Sequence, residues 1–340
     1  MNPRHALSAL FALSLPLFAQ DALDLRTAAK KGNSVWLVTT QKQDQVIEAM
    51  GQEMETGQTV TRTLQVTVLG DEGGNLIVET KIARVQGSMV MPMGMGDVEF
   101  DSAKPEAADD DEGMAGMMTK ALTAGAGKSF RAKVSPHGKV VELLDGAAEL
   151  TKNEGGGGMM AGPSLSKGDL EQMVESAFGF VPEKPTAIGA KWEHVTSKAD
   201  GRMPMQQKME LTLAKADAES FEITATGTVA KPEEKADGKA DGKDDGKSDE
   251  AEEAAMAREM MKSMKLSNGK LVGSQKVSRQ DGFVVEATNT MTVDAEMSSQ
   301  MGDMKMSIKS VTTTKRTTED AAMPKKEAPK NEEPKKDAGK

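Results

Sequence analysis

Four methionines at alternate positions are the strongest chemical signal in this sequence. Met89, Met91, Met93 and Met95 are spaced two residues apart, so in a β-strand all four thioethers would lie on one face. Soft thioether sulfur suits Cu(I), and the chain has no cysteine that could supply thiolate ligands instead. However, Pro92 interrupts the pattern, and the 26 methionines are spread over a chain with only 3% aromatic residues. A copper site and a flexible apolar filler are therefore both open interpretations.

Residues for acid–base or nucleophilic catalysis do not form a recognisable set. A nucleophile needs a base within reach, and we predict turn or packing roles for His137 and His194. The S-x-x-K pattern at 164–167 lacks its companion motifs, and the phosphate-loop-like 127–129 precedes a predicted strand instead of a helix. A calcium-loop pattern starting at Asp241 has lysine where an oxygen ligand is required. We therefore predict a protein that is not an enzyme and has no cofactor.

Two short apolar segments are candidates for lining a ligand. Val66 and Val68 alternate with polar residues, as do Leu211 and Leu213, so each pair lies on one face of a strand. A two-stranded unit cannot bury such a face by itself. The two faces either pack together as a closed core or stand apart and line a cleft for a lipid or similar apolar molecule. The residues leave both arrangements open.

The elements that must position these residues occur twice in the chain. Shared order at similar spacing indicates one supersecondary unit used twice. The matched elements are Trp36 and Thr40 with Trp192 and Thr196; Leu64, Val66 and Val68 with Met209, Leu211 and Leu213; Leu76 and Val78 with Phe221 and Ile223; Lys133-Val134-Ser135 with Lys276-Val277-Ser278; and Val140-Val141-Glu142 with Val284-Val285-Glu286.

Alternation of apolar and polar residues predicts antiparallel hairpins in both copies. Residues 61–69 and 75–85 alternate on either side of a glycine-rich turn, and 284–297 is expected to pair with 304–318. One helix, capped by Ser166, is predicted to connect the copies. The predicted fold is all-β or β-rich, with two tandem antiparallel meander repeats that form a sandwich or paired half-barrels, one connecting helix and low-complexity inserts.

The predicted organisation begins with a secretory signal peptide and ends with a polar tail. Residues 1–19 combine a basic residue, a short apolar run and a final alanine. The segments that follow are a first β repeat at 20–152, a glycine-rich loop and connecting helix at 153–185, a second β repeat at 186–318 with a disordered insert at 231–253, and a disordered tail at 319–340.

Charge and hydropathy restrict the classes of partner. The formal net charge of −10 argues against nucleic acid and anionic membrane surfaces. After the signal peptide no apolar run is long enough to span a membrane as a helix. We therefore expect a soluble exported protein, periplasmic or extracellular, whose partner is an envelope protein or an apolar small molecule.

Three short stretches resemble an uncharacterised family of exported bacterial β-rich proteins, a domain-of-unknown-function family. They are Phe178-Gly179-Phe180-Val181-Pro182-Glu183-Lys184-Pro185, Phe100-Asp101-Ser102, and Ser135-Pro136-His137-Gly138-Lys139-Val140 with the later Gly146. The resemblance covers roughly residues 25–315. It implies export and a β-rich body, and it supplies no catalytic residue.

Two functional hypotheses follow. The first is a non-enzymatic binding or scaffold protein of the cell envelope that holds an apolar ligand between two β lobes. The alternative is a Cu(I)-handling protein that uses the methionine segment.

Overall fold

The computed structural model describes residues 22–49, 51–90, 96–104, 114–151, 165–198, 205–231, 263–299 and 302–323. Twelve antiparallel strands in these ranges form one sheet, accompanied by four helices. The strands are β1 Ser34–Ala49, β2 Gln52–Glu72, β3 Asn75–Val90, β4 Asp97–Asp101, β5 Ser129–Val134, β6 Val140–Leu143, β7 Lys191–Lys198, β8 Met205–Ala216, β9 Ser220–Ala230, β10 Lys265–Ser278, β11 Val284–Ser299 and β12 Gly302–Thr317. The helices are α1 Met114–Thr123, α2 Ala147–Thr151, α3 Lys167–Phe178 and α4 Glu319–Ala322. No helix within the described ranges has the length and apolar character needed to cross a membrane.

The two repeats form a single sheet because the first and last strands of the chain pair. The order is β6-β5-β3-β2-β1-β12-β11-β10-β9-β8-β7, with β4 added beside β3. The β1–β12 register runs from Trp36 opposite Thr317 to Ala49 opposite Met304. Among the described residues, β6 and β7 are the outer strands of this path and do not pair with each other, so the sheet stays open. The predicted β-rich class is confirmed.

The repeated sequence elements correspond strand for strand. Going along the sheet in one direction, β7, β8, β9, β10 and β11 take the same order as β1, β2, β3, β5 and β6, with β12 between the two sets. The two tryptophans are an exception. Trp36 lies opposite Gln65, whereas Trp192 lies opposite the buried Leu211 and packs on the core. The two tryptophans therefore lie on opposite faces of the sheet, although each is followed by a threonine four residues later.

Helix α3 closes one end of the sheet. Ser166 caps it, since its side chain accepts the Asp169 N–H at 3.1 Å while Asp169 accepts the Ser166 N–H. This reciprocal capping box satisfies two backbone groups that the helix leaves unpaired. Leu170 and Val174 are completely buried against the sheet. The predicted connecting helix and its cap are confirmed.

The apolar core is divided into three clusters. The first lies under α3, the second belongs to the second repeat, and the third lies between the far ends of β10, β11 and β12. They include, respectively, Leu37, Leu64, Val66, Val78, Phe130, Leu170 and Phe178; Leu25, Leu211, Leu213, Phe221, Ile223 and Val277; and Met264, Val293, Ala295, Met306 and Ile308. Each fully buried aliphatic side chain contributes about 1.5 to 3 kcal/mol.

The sheet is strongly curved. Gln207 on β8 places its Nε2 3.8 Å from the sulfur of Met291 on β11, although these strands are three places apart in the sheet. Three strand spacings span about 14 Å in a flat sheet. Inward side chains on β8 and β11 therefore meet only because the sheet curls around them. Helix α3 likewise touches both β6 and β11.

Candidate functional site

The curvature gives the sheet a concave face, defined here by the inward positions of β1, β2, β8, β11 and β12 beyond the first two core clusters. Near α3 the inward residues Leu37 and Leu64 are completely buried. Further along the same strands burial varies from one inward position to the next. Val60, Val293, Ile308 and Ser310 are buried. The half-buried inward residues are Thr39, Gln41, Gln43, Gln45, Thr56, Gln58, Gln207, Asn289, Met291 and Thr312. This part of the concave face is therefore partly exposed to solvent, whereas the part under α3 is sealed.

Amide and hydroxyl groups line the middle of the concave face. The Thr39 and Thr314 hydroxyls lie 3.1 Å apart across β1 and β12. Gln41 donates from Nε2 to the Ser310 hydroxyl at 3.5 Å, and the Gln45 amide donates to the Met306 sulfur at 2.8 Å. These side chains are partly satisfied by their neighbours. They form a polar, uncharged surface that can still donate and accept hydrogen bonds.

Methionines line the far end of the concave face, near the tips of the long hairpins. Met297 on β11 and Met304 on β12 are register partners, and Met54 on β2 lies opposite Ile47. Met306 and Met264 are buried there, at 6% and 3% exposure. Because unbranched thioethers adapt to irregular shapes, this end of the face is suited to variable apolar groups.

Arg62 is the unpaired charge on the concave face. It lies on β2 between the buried inward residues Val60 and Leu64, opposite Val85 on β3. Burial lowers the pKa of its guanidinium, and the carboxylate of Asp169 opposes that effect only through space. Arginine nevertheless stays protonated in proteins. Within the described ranges no side chain forms a hydrogen bond or ion pair with Arg62.

Asp169 does not neutralise Arg62 by contact because its carboxylate is already engaged. One oxygen of Asp169 accepts hydrogen bonds from the Ser166 backbone N–H at 3.1 Å and from the Ser166 hydroxyl at 2.9 Å. On the described parts of β1, β11 and β12 the only ionisable inward residue is Arg316, which pairs with Asp281 at 2.8 Å. Arg62 therefore has no contact partner for its charge within the described ranges, and Asp169 acts on it only through space.

The residues predicted to line a ligand lie deeper than this surface. Val66 and Val68 are 0% and 1% exposed in the first core cluster, and Leu211 and Leu213 are 1% and 0% exposed in the second. A ligand would reach these four side chains only by entering the core. The accessible positions lie further along the same strands.

The predicted methionine site is only partly described. Met89 lies on the inward face of β3, half-buried and opposite Gln58. Met91, Met93 and Met95 lie outside the described residues, as do the predicted signal peptide and the acidic insert from residue 232 onward. Copper binding by these four methionines stays a prediction.

The two histidines lie near the junction between the repeats. His194 is on the inward face of β7, with its ring centroid 4.4 Å from that of Phe180. Burial, followed by the charge of Lys139, lowers the pKa of His194. His137 lies in the turn before β6. Within the described residues, the buried ring nitrogens, Nδ1 of His137 and Nε2 of His194, have no hydrogen-bond partner.

A shallow recess of about 430 Å³ lies across β7, β8 and β9. Its charged lining residues are ion-paired, Lys191 with Glu210 at 2.7 Å and Lys208 with Glu193 at 3.0 Å. The recess therefore offers a ligand no unpaired charge among its lining residues.

The three stretches with family resemblance have structural roles that the geometry explains. Phe100 is buried against β3, and Asp101 accepts from Arg84 at 2.9 and 2.6 Å. Ser102 exchanges two hydrogen bonds with the backbone of Val85. Gly138 packs directly on Phe178 and Gly179, so the stretch at 135–140 contacts the stretch at 178–185.

A protein-family model matches residues 73–284, from the start of β3 to the start of β11. The chain belongs to DUF6263, a family of unknown function. The match includes the three stretches and more than half of the chain. The resemblance recognised in the sequence is therefore confirmed at the level of the family. Arg62 and the glutamines of β1 lie outside the matched range of DUF6263.

Comparisons with individual proteins give only weak similarities. No curated protein matches the chain. Among solved structures, one of lipovitellin, described for its lipid–protein interactions, has 8% sequence identity and a TM-score of 0.43. The match covers 85% of this chain and 25% of the lipovitellin chain. Ail, the attachment invasion locus protein of Yersinia pestis, has 5% identity and a TM-score of 0.13, with 84% of this chain and 99% of Ail covered.

Sequence reasoning missed Arg62 and the amides of the concave face. A signal for Arg62 was present, because Val60, Leu64 and Val66 share its strand face and an arginine among them is unusual. Gln41 and Gln45 gave no comparable signal, since β1 carries polar residues on both faces in this region.

Proposed function

We propose that this protein is an exported, non-enzymatic binding protein that holds an apolar or amphipathic small molecule on the concave face of its sheet. The observation that carries the proposal is the change in burial along the inward positions. The residues under α3 are sealed, whereas Gln41, Gln45 and Thr312 beyond them are only half-buried.

The chemistry of the face supports an apolar occupant. Binding sites for small molecules are typically concave and largely apolar, with a few polar groups that fix orientation. Here methionines supply an adaptable apolar surface at the far end, and amides and hydroxyls supply the polar groups in the middle. A molecule with an apolar body and a small polar part would satisfy both regions.

Export is proposed from the sequence of residues 1–19, which combines a basic residue, an apolar run and a terminal alanine. An extracytoplasmic carrier or holding protein is consistent with a chain that lacks cysteine and a recognisable catalytic set.

The test is to purify the full-length protein from its native host and compare its mass under native and denaturing conditions. We expect an apolar molecule to be released on denaturation and identified by mass. The variant Thr312→Trp should reduce its amount, because Thr312 points into the concave face. Thr313→Trp is the matched control, since the next residue points to the opposite face.

The proposal fails if the native protein carries no such molecule and binds none of a panel of apolar probes. It also fails if Thr312→Trp and Thr313→Trp retain equal amounts while both variants keep the thermal unfolding midpoint of the wild type.

A further inference from the structure

Arg62 places a full positive charge where the rest of the molecule provides no contact partner. A buried charge is costly unless it is paired and hydrogen-bonded. The guanidinium presents five N–H donors in a planar fork, and within the described ranges none of them meets an acceptor. Arg62 is itself partly exposed, but it lies among the buried side chains of Val60, Leu64 and Val85. A partly buried charge without a protein partner at such a point is a candidate for ligand recognition.

The position of Arg62 relative to the methionines suggests the shape of that ligand. Along β2, the inward positions from Arg62 towards the hairpin tip are the buried Val60 and then the half-buried Gln58, Thr56 and Met54. Eight residues of strand separate Arg62 from Met54, which corresponds to about 27 Å. A charged group at Arg62 and an apolar chain running along the concave face towards the methionines would fit within this length.

We propose that the ligand is a long-chain carboxylic acid whose carboxylate pairs with Arg62 and whose hydrocarbon chain lies along the concave face towards Met54, Met297 and Met304. The guanidinium fork matches the geometry of a carboxylate and can donate two parallel hydrogen bonds. The Thr39 hydroxyl, on the position opposite Arg62 in β1, lies beside the same point.

Electrostatics favours an anion at this point. From the level of Arg62 to the hairpin tips, the inward positions of β1, β2, β11 and β12 in the described ranges carry no acidic residue. Asp169 is the negative group that acts on Arg62, and its carboxylate accepts from Ser166 instead. An entering carboxylate therefore meets one cation that has no contact partner, and Asp169 acts on that cation only through space.

This inference rests on the proposed function, and the experiment separates the two. Binding of oleate and of oleyl alcohol to the full-length protein is measured by isothermal titration calorimetry at pH 7.5. The two probes share a hydrocarbon chain and differ in the charged group. We expect the wild type to bind oleate at least about tenfold more tightly than the alcohol, the size of effect that a hydrogen-bonded ion pair gives.

Arg62→Gln should remove this preference and leave the affinity for oleyl alcohol within about twofold. Arg62→Lys should retain part of the preference. Arg316→Gln is the matched control, because Arg316 is also inward but already pairs with Asp281; it should leave the preference intact.

Equal affinity of the wild type for oleate and oleyl alcohol overturns the carboxylate proposal and leaves the apolar-binding proposal standing. Binding of neither probe, together with a native protein free of apolar molecules, overturns both. A preference that persists in Arg62→Gln also overturns the role of Arg62. The comparison of probes on the wild type decides the ligand class even if Arg62→Gln does not fold.

Discussion

At the scale of single residues, Arg62 is partly buried and Glu175 is buried, with opposite consequences for their charges. Arg62 keeps its charge because its pKa stays far above neutral pH even when burial lowers it. Glu175 on α3 can shed its charge, since burial raises the pKa of its carboxyl group. Its Oε1 accepts the Val140 N–H at 3.0 Å, which links α3 to β6. Glu175 thus has a structural contact that does not require a negative charge.

Replacing Glu175 by glutamine should stabilise the protein at pH 7. A carboxyl group with a raised pKa in the folded state stabilises the fold below its unfolded-state pKa, and that contribution is lost as the pH rises through the folded-state pKa. Glutamine stays neutral and keeps an oxygen that can accept from Val140. Urea unfolding should therefore show a gain for Glu175→Gln at pH 7 that vanishes near pH 4.

The control is Glu171→Gln, a more exposed position one turn earlier on α3 that pairs with Lys167. It should change the free energy of unfolding by less than about 0.5 kcal/mol. A loss of stability in Glu175→Gln at pH 7 would contradict the assignment, because it would mean that the fold uses the charge of the carboxylate.

At the scale of elements, Gly87 lets β3 pack closely against its two neighbouring strands. Gly87 pairs with Val60 on β2 and with Phe100 on β4. A Cβ atom at this position would overlap the Thr59 backbone oxygen and lie 2.8 Å from Cζ of Phe100. The absence of a side chain therefore lets Phe100 pack across β3 and bury in the first core cluster.

Gly87→Ala should destabilise the protein by about 3 kcal/mol, because the backbone oxygen of Thr59 cannot move aside as a flexible side chain could. Gly70→Ala is the matched control on the neighbouring strand, since a Cβ there has no atom within 4 Å. Its effect should stay within about 0.5 kcal/mol. Thermal unfolding of the two variants measures the difference, and equal stabilities would refute the packing role of Gly87.

The strands themselves were predictable only where one face is apolar. The hairpin at 61–69 and 75–85 follows from alternation, yet β2 and β3 extend to Gln52 and Val90. Most of their added residues, like those in the middle of β1, are polar, and apolar residues such as Met54 and Val60 are too far apart to give a continuous alternation. Their neighbours in the sheet hold them in place through backbone pairing. The concave face was missed for the same reason.

At the scale of the whole molecule, the two repeats share a sheet but have separate core clusters. Val66 belongs to the cluster under α3, and Leu211 belongs to the cluster of the second repeat. The duplication in the sequence indicated two similar units. Their union into one sheet depends on β12, for which the first repeat has no equivalent, and no repeat pattern predicted it.

Val66→Asp should unfold the protein, because Val66 is 0% exposed among apolar side chains and a buried unpaired carboxylate is costly. The expected loss exceeds about 4 kcal/mol. Val195→Asp, on the other face of β7 at 47% exposure, is the control and should have little effect. Circular dichroism of both variants tests this. A folded Val66→Asp protein with impaired ligand binding would instead support a cleft wall at Val66.

The pairing of β1 with β12 also sets the order of events when the chain is made. Among the twelve strands β1 is synthesised first and β12 last, so one edge of β1 has no strand partner until β12 has been made. Such a long-range pairing delays completion of the sheet and leaves an edge on which other chains could assemble. Lys42 and Asp44 point outward at the centre of β1 and are exposed. Their charges discourage association with a second nascent chain during that interval.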